Sequence, residues 1–152
     1  MIAKLLLLPL LTLAVSGGGI VAQEGGTAQK VEIAAKPGGV MKYDKAEVKV
    51  KAGQPVELTF KNPDVLQHNL LILKPGTKDK VGALADAMIA DPNALAKGFV
   101  PKSSDILHHT KLLNPSQNET LKFTIKEAGD YPILCTFPGH WRLMFATLKV
   151  EK

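Results

Sequence analysis

The chain has 152 residues, a formal charge of +5 at neutral pH and a single cysteine. One cysteine allows no internal disulfide, and a free thiol exported to an oxidising compartment is a liability unless something occupies it. The lysines are scattered over outward-looking positions, as in AEVKVK and LKFTIK, with no basic run interleaved with aromatics. Nothing in that pattern favours nucleic acid as a partner; it describes a solvated surface.

In chain order, Lys4 precedes the apolar run LLLLPLLTLAV and the small-residue stretch GGGIVAQE. A charge, a short apolar core and small residues make a secretory signal peptide. The run is short for a membrane span, and Gly17 to Gly19 weaken it further. The expectation is a signal over residues 1–22, cut after Ala22, with no membrane insertion afterwards and a periplasmic or exported location. Removing 22 residues from 152 leaves 130, with Lys4 gone and the charge at +4. That length suits one domain with a modest core. Residues 23–40 are expected to hold a flexible leader, QEGGTAQK at 23–30, and a first strand; residues 41–152 form the domain.

Short alternating runs follow. AEVKVK sets Ala46, Val48 and Val50 on one face; PVELTF does so with Val56, Leu58 and Phe60, and LKFTI with Leu121, Phe123 and Ile125. KAGQP and KEAGDY are turns, and the GDY ending in Tyr131 has the form of a tyrosine corner. HNLLILK and YPILCTF are continuously apolar, as central strands between two layers are. About seven strands with turns near every ten residues predict an all-β, antiparallel Greek-key sandwich. One stretch departs from it: Val81, Leu84, Ala85, Met88 and Ile89 recur at helical spacing, predicting a short helical insertion at about 80–90 on one side of the sandwich.

The chemistry gathers in CTFPGHWRLM. Cys135 ends a strand, Pro138 and Gly139 bend the chain, His140 follows, and Met144 opens the last strand. Thiolate, imidazole and thioether are soft or borderline donors, a set that selects copper over magnesium or calcium. A trigonal plane of one cysteine and two histidines lacks one histidine, and His68, polar at the entry to an apolar strand, is the candidate. Each residue alone would be ordinary: His140 capping a turn, Met144 filling a core, Cys135 a small buried hydrophobe. Four together at one pole of a sandwich point to a site. His108 and His109 stand side by side in DILHHTK, so alternation sends them to opposite faces in surface or packing roles.

CTFPGHWRLM, the downstream FATLKV, the upstream HTKLL, LKFTI and YPILCTFPGH, and the pair His68-Asn69 resemble the azurins over roughly residues 44–152. Gln67 before His68 is more similar to the auracyanins. The resemblance implies a cupredoxin-like fold and one type 1 (blue) copper ion that passes between Cu(I) and Cu(II) in carrying single electrons. It assigns His68, Cys135 and His140 as equatorial ligands and Met144 as the weak axial one. It also gives Gln67 as the residue whose carbonyl faces the metal, Asn69 as the tie between ligand strands and a donor to the thiolate, and the Phe137 N–H as a second donor. Such outer bonds hold geometry and tune potential. Two departures stand out: the azurin disulfide is missing, and Trp141 and Arg142 replace small residues beside His140. Leu66, Pro138 and Trp141 around His140 suggest an apolar docking patch for a transient redox partner, such as a c-type cytochrome or a terminal reductase or oxidase. The expected molecule is a monomer and not an enzyme, since no open metal position is left for a substrate. Rival readings are a copper carrier or store, which would favour Met- or His-rich tracts, a copper-free binding module, and a cysteine hydrolase using Cys135, a histidine and Asn69. The last requires an activating environment that a strand end before proline does not offer.

Overall fold

Alternation along the strands decides which faces meet. The computed structural model describes residues 27–152; the expected signal peptide and the first residues of the leader lie outside them. Eight strands form among the described residues: β1 (Gln29–Ala34), β2 (Glu47–Lys51), β3 (Pro55–Lys61), β4 (Leu71–Leu73), β5 (Ile106–His109), β6 (Asn118–Thr124), β7 (Gly129–Leu134) and β8 (Phe145–Glu151). β1 takes in Gln29 and Lys30, the end of the expected leader, because both pair along β3. Val48 and Val50 of β2, and Val56, Leu58 and Phe60 of β3, turn inward as expected. Ala46 precedes β2 and is exposed.

The strands divide into a three-stranded sheet, β1-β3-β6, and a five-stranded sheet, β2-β8-β7-β4-β5. Their inner faces enclose one core that includes Ile33, Leu58, Phe60, Ile72, Ile133 and Leu148, all fully buried. Each such side chain contributes about 1.5–3 kcal/mol on leaving water. The sandwich is not purely antiparallel: β1 runs parallel to β3 and β2 parallel to β8. The chain leaves the small sheet after β1 for β2 in the large one and returns in β3, so the edge strands β1 and β2 each pair with a strand that does not follow them in sequence. The Tyr131 hydroxyl donates to the Glu127 carbonyl at 3.0 Å, the expected tyrosine corner.

β4 is apolar on both faces because it is covered on both. Leu70 and Ile72 point into the sandwich, whereas Leu71 and Leu73 pack with Leu134 and Val81 in a second cluster. Val81 belongs to α1 (Lys78–Ala87), which continues as a 3-10 turn over Met88–Ala90. Val81, Ala85 and Met88 face inward. Ile89, expected on that stripe, is 60% exposed, because tightening to three residues per turn takes it off the buried face.

Candidate metal centre

Two segments 67 residues apart in sequence deliver the donors. His68 enters β4 through a reciprocal bridge with Leu113: the His68 N–H donates at 3.1 Å and the Leu113 N–H at 2.8 Å. Cys135 follows the last residue of β7, and its N–H donates to the Met144 carbonyl at 3.1 Å, closing the loop at its base. Inside the loop, the His140 N–H donates to the Phe137 carbonyl, and the N–H groups of Leu143 and Met144 return to the His140 carbonyl. Gly139 sits at φ +81°, a conformation glycine adopts without strain. The loop therefore turns twice in ten residues and brings His140 back over Cys135.

The result is one buried cluster. Donor atoms of His68, Cys135 and His140 all lie within 4.8 Å of one another. Cys135 Sγ is 3.7 Å from His68 Nδ1 and 3.6 Å from His140 Nδ1, and the two imidazole centroids are 5.0 Å apart. His68, Cys135 and Met144 are fully buried and His140 is 3% exposed. Met144 packs in the same core cluster as Cys135.

Asn69 ties the segments. Its Oδ1 accepts the Thr136 N–H at 2.8 Å, its Nδ2 donates to the Gly98 carbonyl and to Thr136 Oγ1, and its own carbonyl accepts the Tyr43 hydroxyl at 3.0 Å. The backbone N–H groups of Asn69 and Phe137 both favour the Cys135 thiolate. The Phe137 ring packs against His140. The Gln67 side chain faces away, donating to Asn114 Oδ1 at 2.7 Å, which leaves its backbone to any role at the metal.

Sequence reasoning passed over Asp64. An Asx turn, in which the Asp64 N–H donates to Asn62 Oδ1, aims its carboxylate inward, and Oδ2 meets His68 Nε2 at 2.9 Å. Because a carboxylate accepts, His68 carries its proton on Nε2 and presents the Nδ1 lone pair to Cys135. The signal was present in NPDVLQH: a turn-forming Asn-Pro, then a carboxylate four residues before the histidine.

Electrostatics fits the donor set to a soft cation. Burial pushes the Cys135 thiol up to about 12, against the pull of the Asn69 and Phe137 N–H groups. Burial also lowers His140 to about 4, helped by His68 and opposed by Asp64, so its imidazole is neutral at pH 7. Burial would raise Asp64, but its hydrogen bonds to His68 and to the N–H groups of Gly39 and Val65 prevail and hold it at about 2. A thiol that deprotonates only with help, beside the neutral imidazole of His140, suits a metal that supplies the charge.

His108 and His109 lie apart from this cluster. The His108 ring stacks on Phe123 with centroids 4.8 Å apart, and exposed His109 pairs through Nδ1 with the Thr110 carbonyl. Trp141 corrects an expectation: it is not an exposed docking residue but 9% exposed, turned onto α1. Its indole lies over Gly82, its Nε1–H donates to Asp86 Oδ1 at 2.9 Å, and Arg142 pairs with both oxygens of Asp86. The inserted helix is therefore bolted to the loop that carries Cys135 and His140.

A sandwich with a buried Cys-His-His cluster at one pole is the architecture of a mononuclear copper protein. The sequence model of the family described as copper binding proteins, plastocyanin/azurin family, matches residues 29–151. Auracyanin-A of Chloroflexus aurantiacus is 35% identical over 123 residues, covering 80% of this chain and 74% of its own length. Azurin-1 of Alcaligenes xylosoxydans xylosoxydans is 32% identical over 130 residues, covering 79% and 95%. Among solved structures, the dithionite-reduced auracyanin of Roseiflexus castenholzii superposes with a TM-score of 0.72 at 34% identity, covering 84% of this chain and all of that one. The chain belongs to the plastocyanin/azurin family of copper-binding proteins, and its cofactor is one type 1 copper ion.

Proposed function

We propose that this protein is an exported blue copper carrier of single electrons, with His68, Cys135 and His140 as equatorial ligands and Met144 as the axial one. The observation that carries this reading is the convergence of one thiol and two Nδ1 atoms, 3.6–3.7 Å from sulfur, in a buried frame the chain builds for itself. Copper, when bound, supplies the one-electron Cu(II)/Cu(I) couple. The chain's part is to hold donors that suit both oxidation states, keep water out and leave no room for a substrate, which favours electron transfer over catalysis. Asp64 and Leu113 fix His68, the loop hydrogen bonds fix Cys135 and His140, and burial excludes solvent. Partners of the type expected are soluble or membrane-bound redox proteins, such as a c-type cytochrome or a terminal reductase or oxidase, met by a monomer. Among the described residues no helix is long and apolar enough to cross a membrane.

Adding Cu(II) to the purified apoprotein should yield, at one equivalent, an intense visible thiolate-to-copper band that bleaches on reduction. Cys135→Ser should abolish it, because oxygen does not reproduce the copper–sulfur bond. A Ser variant that remains strongly blue refutes the assignment.

A further inference from the structure

Asp64 is a buried carboxylate with no ordinary counter-ion. Its side chain is fully buried, and its one ion-pairing partner within 4.0 Å among the described residues is His68, with no lysine or arginine in reach. Its oxygens are fully engaged by neutral donors and the ligand: Oδ1 accepts the Gly39 N–H at 2.8 Å and Oδ2 accepts His68 Nε2–H at 2.9 Å. Taking a carboxylate out of water costs several kcal/mol unless charge compensates it. On the far side of the imidazole Nδ1 faces the Cys135 sulfur, and a cation held there would supply the compensating charge.

We infer that Asp64 is a positioning residue that sets the reduction potential of the centre, acting through His68 to favour the oxidised state. The inference rests on the copper reading above. The charge count gives its direction. Cu(II) with a thiolate and two neutral imidazoles carries a net +1, which Asp64 neutralises. Cu(I) with the same ligands is neutral, and Asp64 then leaves a buried net −1. One electron is gained in passing from the first state to the second. A negative charge held in a low-dielectric interior therefore penalises the reduced state and lowers the potential. The same carboxylate makes the imidazole a stronger donor, and that also favours Cu(II).

The test is Asp64→Asn in the copper-loaded full chain. Asn keeps an oxygen to accept from His68 Nε2 but removes the charge. Redox titration at pH 7 should show the Cu(I):Cu(II) ratio at a fixed applied potential rising at least tenfold, a shift of about +59 mV for one electron, with the blue band retained. Asp64→Glu, which keeps the charge, should restore a potential closer to that of the unsubstituted protein. Asp64→Ser, with room for a water against His68, carries the same upward expectation if the Asn variant does not accumulate. Urea unfolding of the copper-free variants separates a purely structural role, which would lower stability while leaving the potential in place. A blue Asn or Ser variant with an unchanged potential overturns the inference alone. An unsubstituted chain that forms no copper–thiolate band overturns the copper reading and this inference with it.

Discussion

Gly82 is a mid-helix glycine where rules for isolated helices and rules for packing disagree in sign. By propensity, Gly82→Ala in α1 should stabilise the protein by about 0.5–1 kcal/mol, since glycine loses the most backbone freedom on folding. In the folded chain, however, a Cβ at position 82 would lie 2.5 Å from Cδ2 and Cε3 of Trp141 and 2.7 Å from Cε2. The indole cannot easily give way, because it is 9% exposed and its Nε1–H is held by Asp86. Overpacking of this kind costs about 1–3 kcal/mol, so the expected net effect is a loss of about 1 kcal/mol where propensity alone foresees a gain. Urea unfolding of the copper-free protein, followed by far-UV circular dichroism, reads that difference. In a Trp141→Ala background the new methyl meets open space, so Gly82→Ala should there become stabilising, and the two changes should couple by more than 1 kcal/mol. Equal stabilisation in both backgrounds would refute the argument that Gly82 exists to seat the indole.

Three other perturbations bear on the site. Met144→Leu should keep copper and raise the reduction potential, since losing a weak donor disfavours Cu(II); as a volume-conserving change it should cost less than about 1.5 kcal/mol, and a folded variant unable to bind copper would contradict a weak axial role. His68→Gly or His140→Gly should open the centre to added imidazole and change its visible spectrum, whereas His108→Ala and His109→Ala should leave the spectrum in place; equal disruption by all four would mean that the ligand histidines are misassigned. Arg142 and Trp141 hold the Asp86 carboxyl below its ordinary value of 3.8. That contribution is therefore complete above pH 3.8 and lost as pH falls through the lower folded value. Asp86→Asn should destabilise the copper-free protein at pH 7 and progressively less at pH values below 3.8, and a constant difference across that range would exclude the ion pair as the cause.

What the sequence revealed and what it hid divide along physical lines. Period-two alternation exposed β2, β3 and β6, because one face of each meets the core and the other meets water. The apolar run at Leu70 to Leu73 was legible as a strand between two layers for the same reason. Alternation does not say which strand lies alongside, so the parallel pairs β1-β3 and β2-β8 were not foreseen. At the site, Cys135 and His140 declared themselves because one ten-residue loop carries them. Asp64 did not, since an aspartate after Asn-Pro reads equally well as a solvent-facing turn residue. Trp141 was misjudged because its seat, Gly82 and Asp86, is far away in sequence on an element whose docking only the fold decides.

The bonds that place each donor are all made by the chain. His68 is fixed from behind by Asp64 and along its backbone by Leu113; Cys135 is fixed at the loop base by Met144 and crossed by the polar ties of Asn69. His140 is held through its N–H by Phe137, and the next residue, Trp141, is pinned to α1 by Asp86. A donor whose position is set this way has little reason to move when the charge at the centre changes by one. The cost of rearranging ligands, which slows electron transfer in flexible sites, is met at folding by hydrogen bonds and packing. The helical insertion enters this argument directly. By seating the indole next to His140 on a glycine, it braces the one histidine of the cluster that a turn alone supports. The position of His140 therefore depends on a helix that contributes no donor to the cluster.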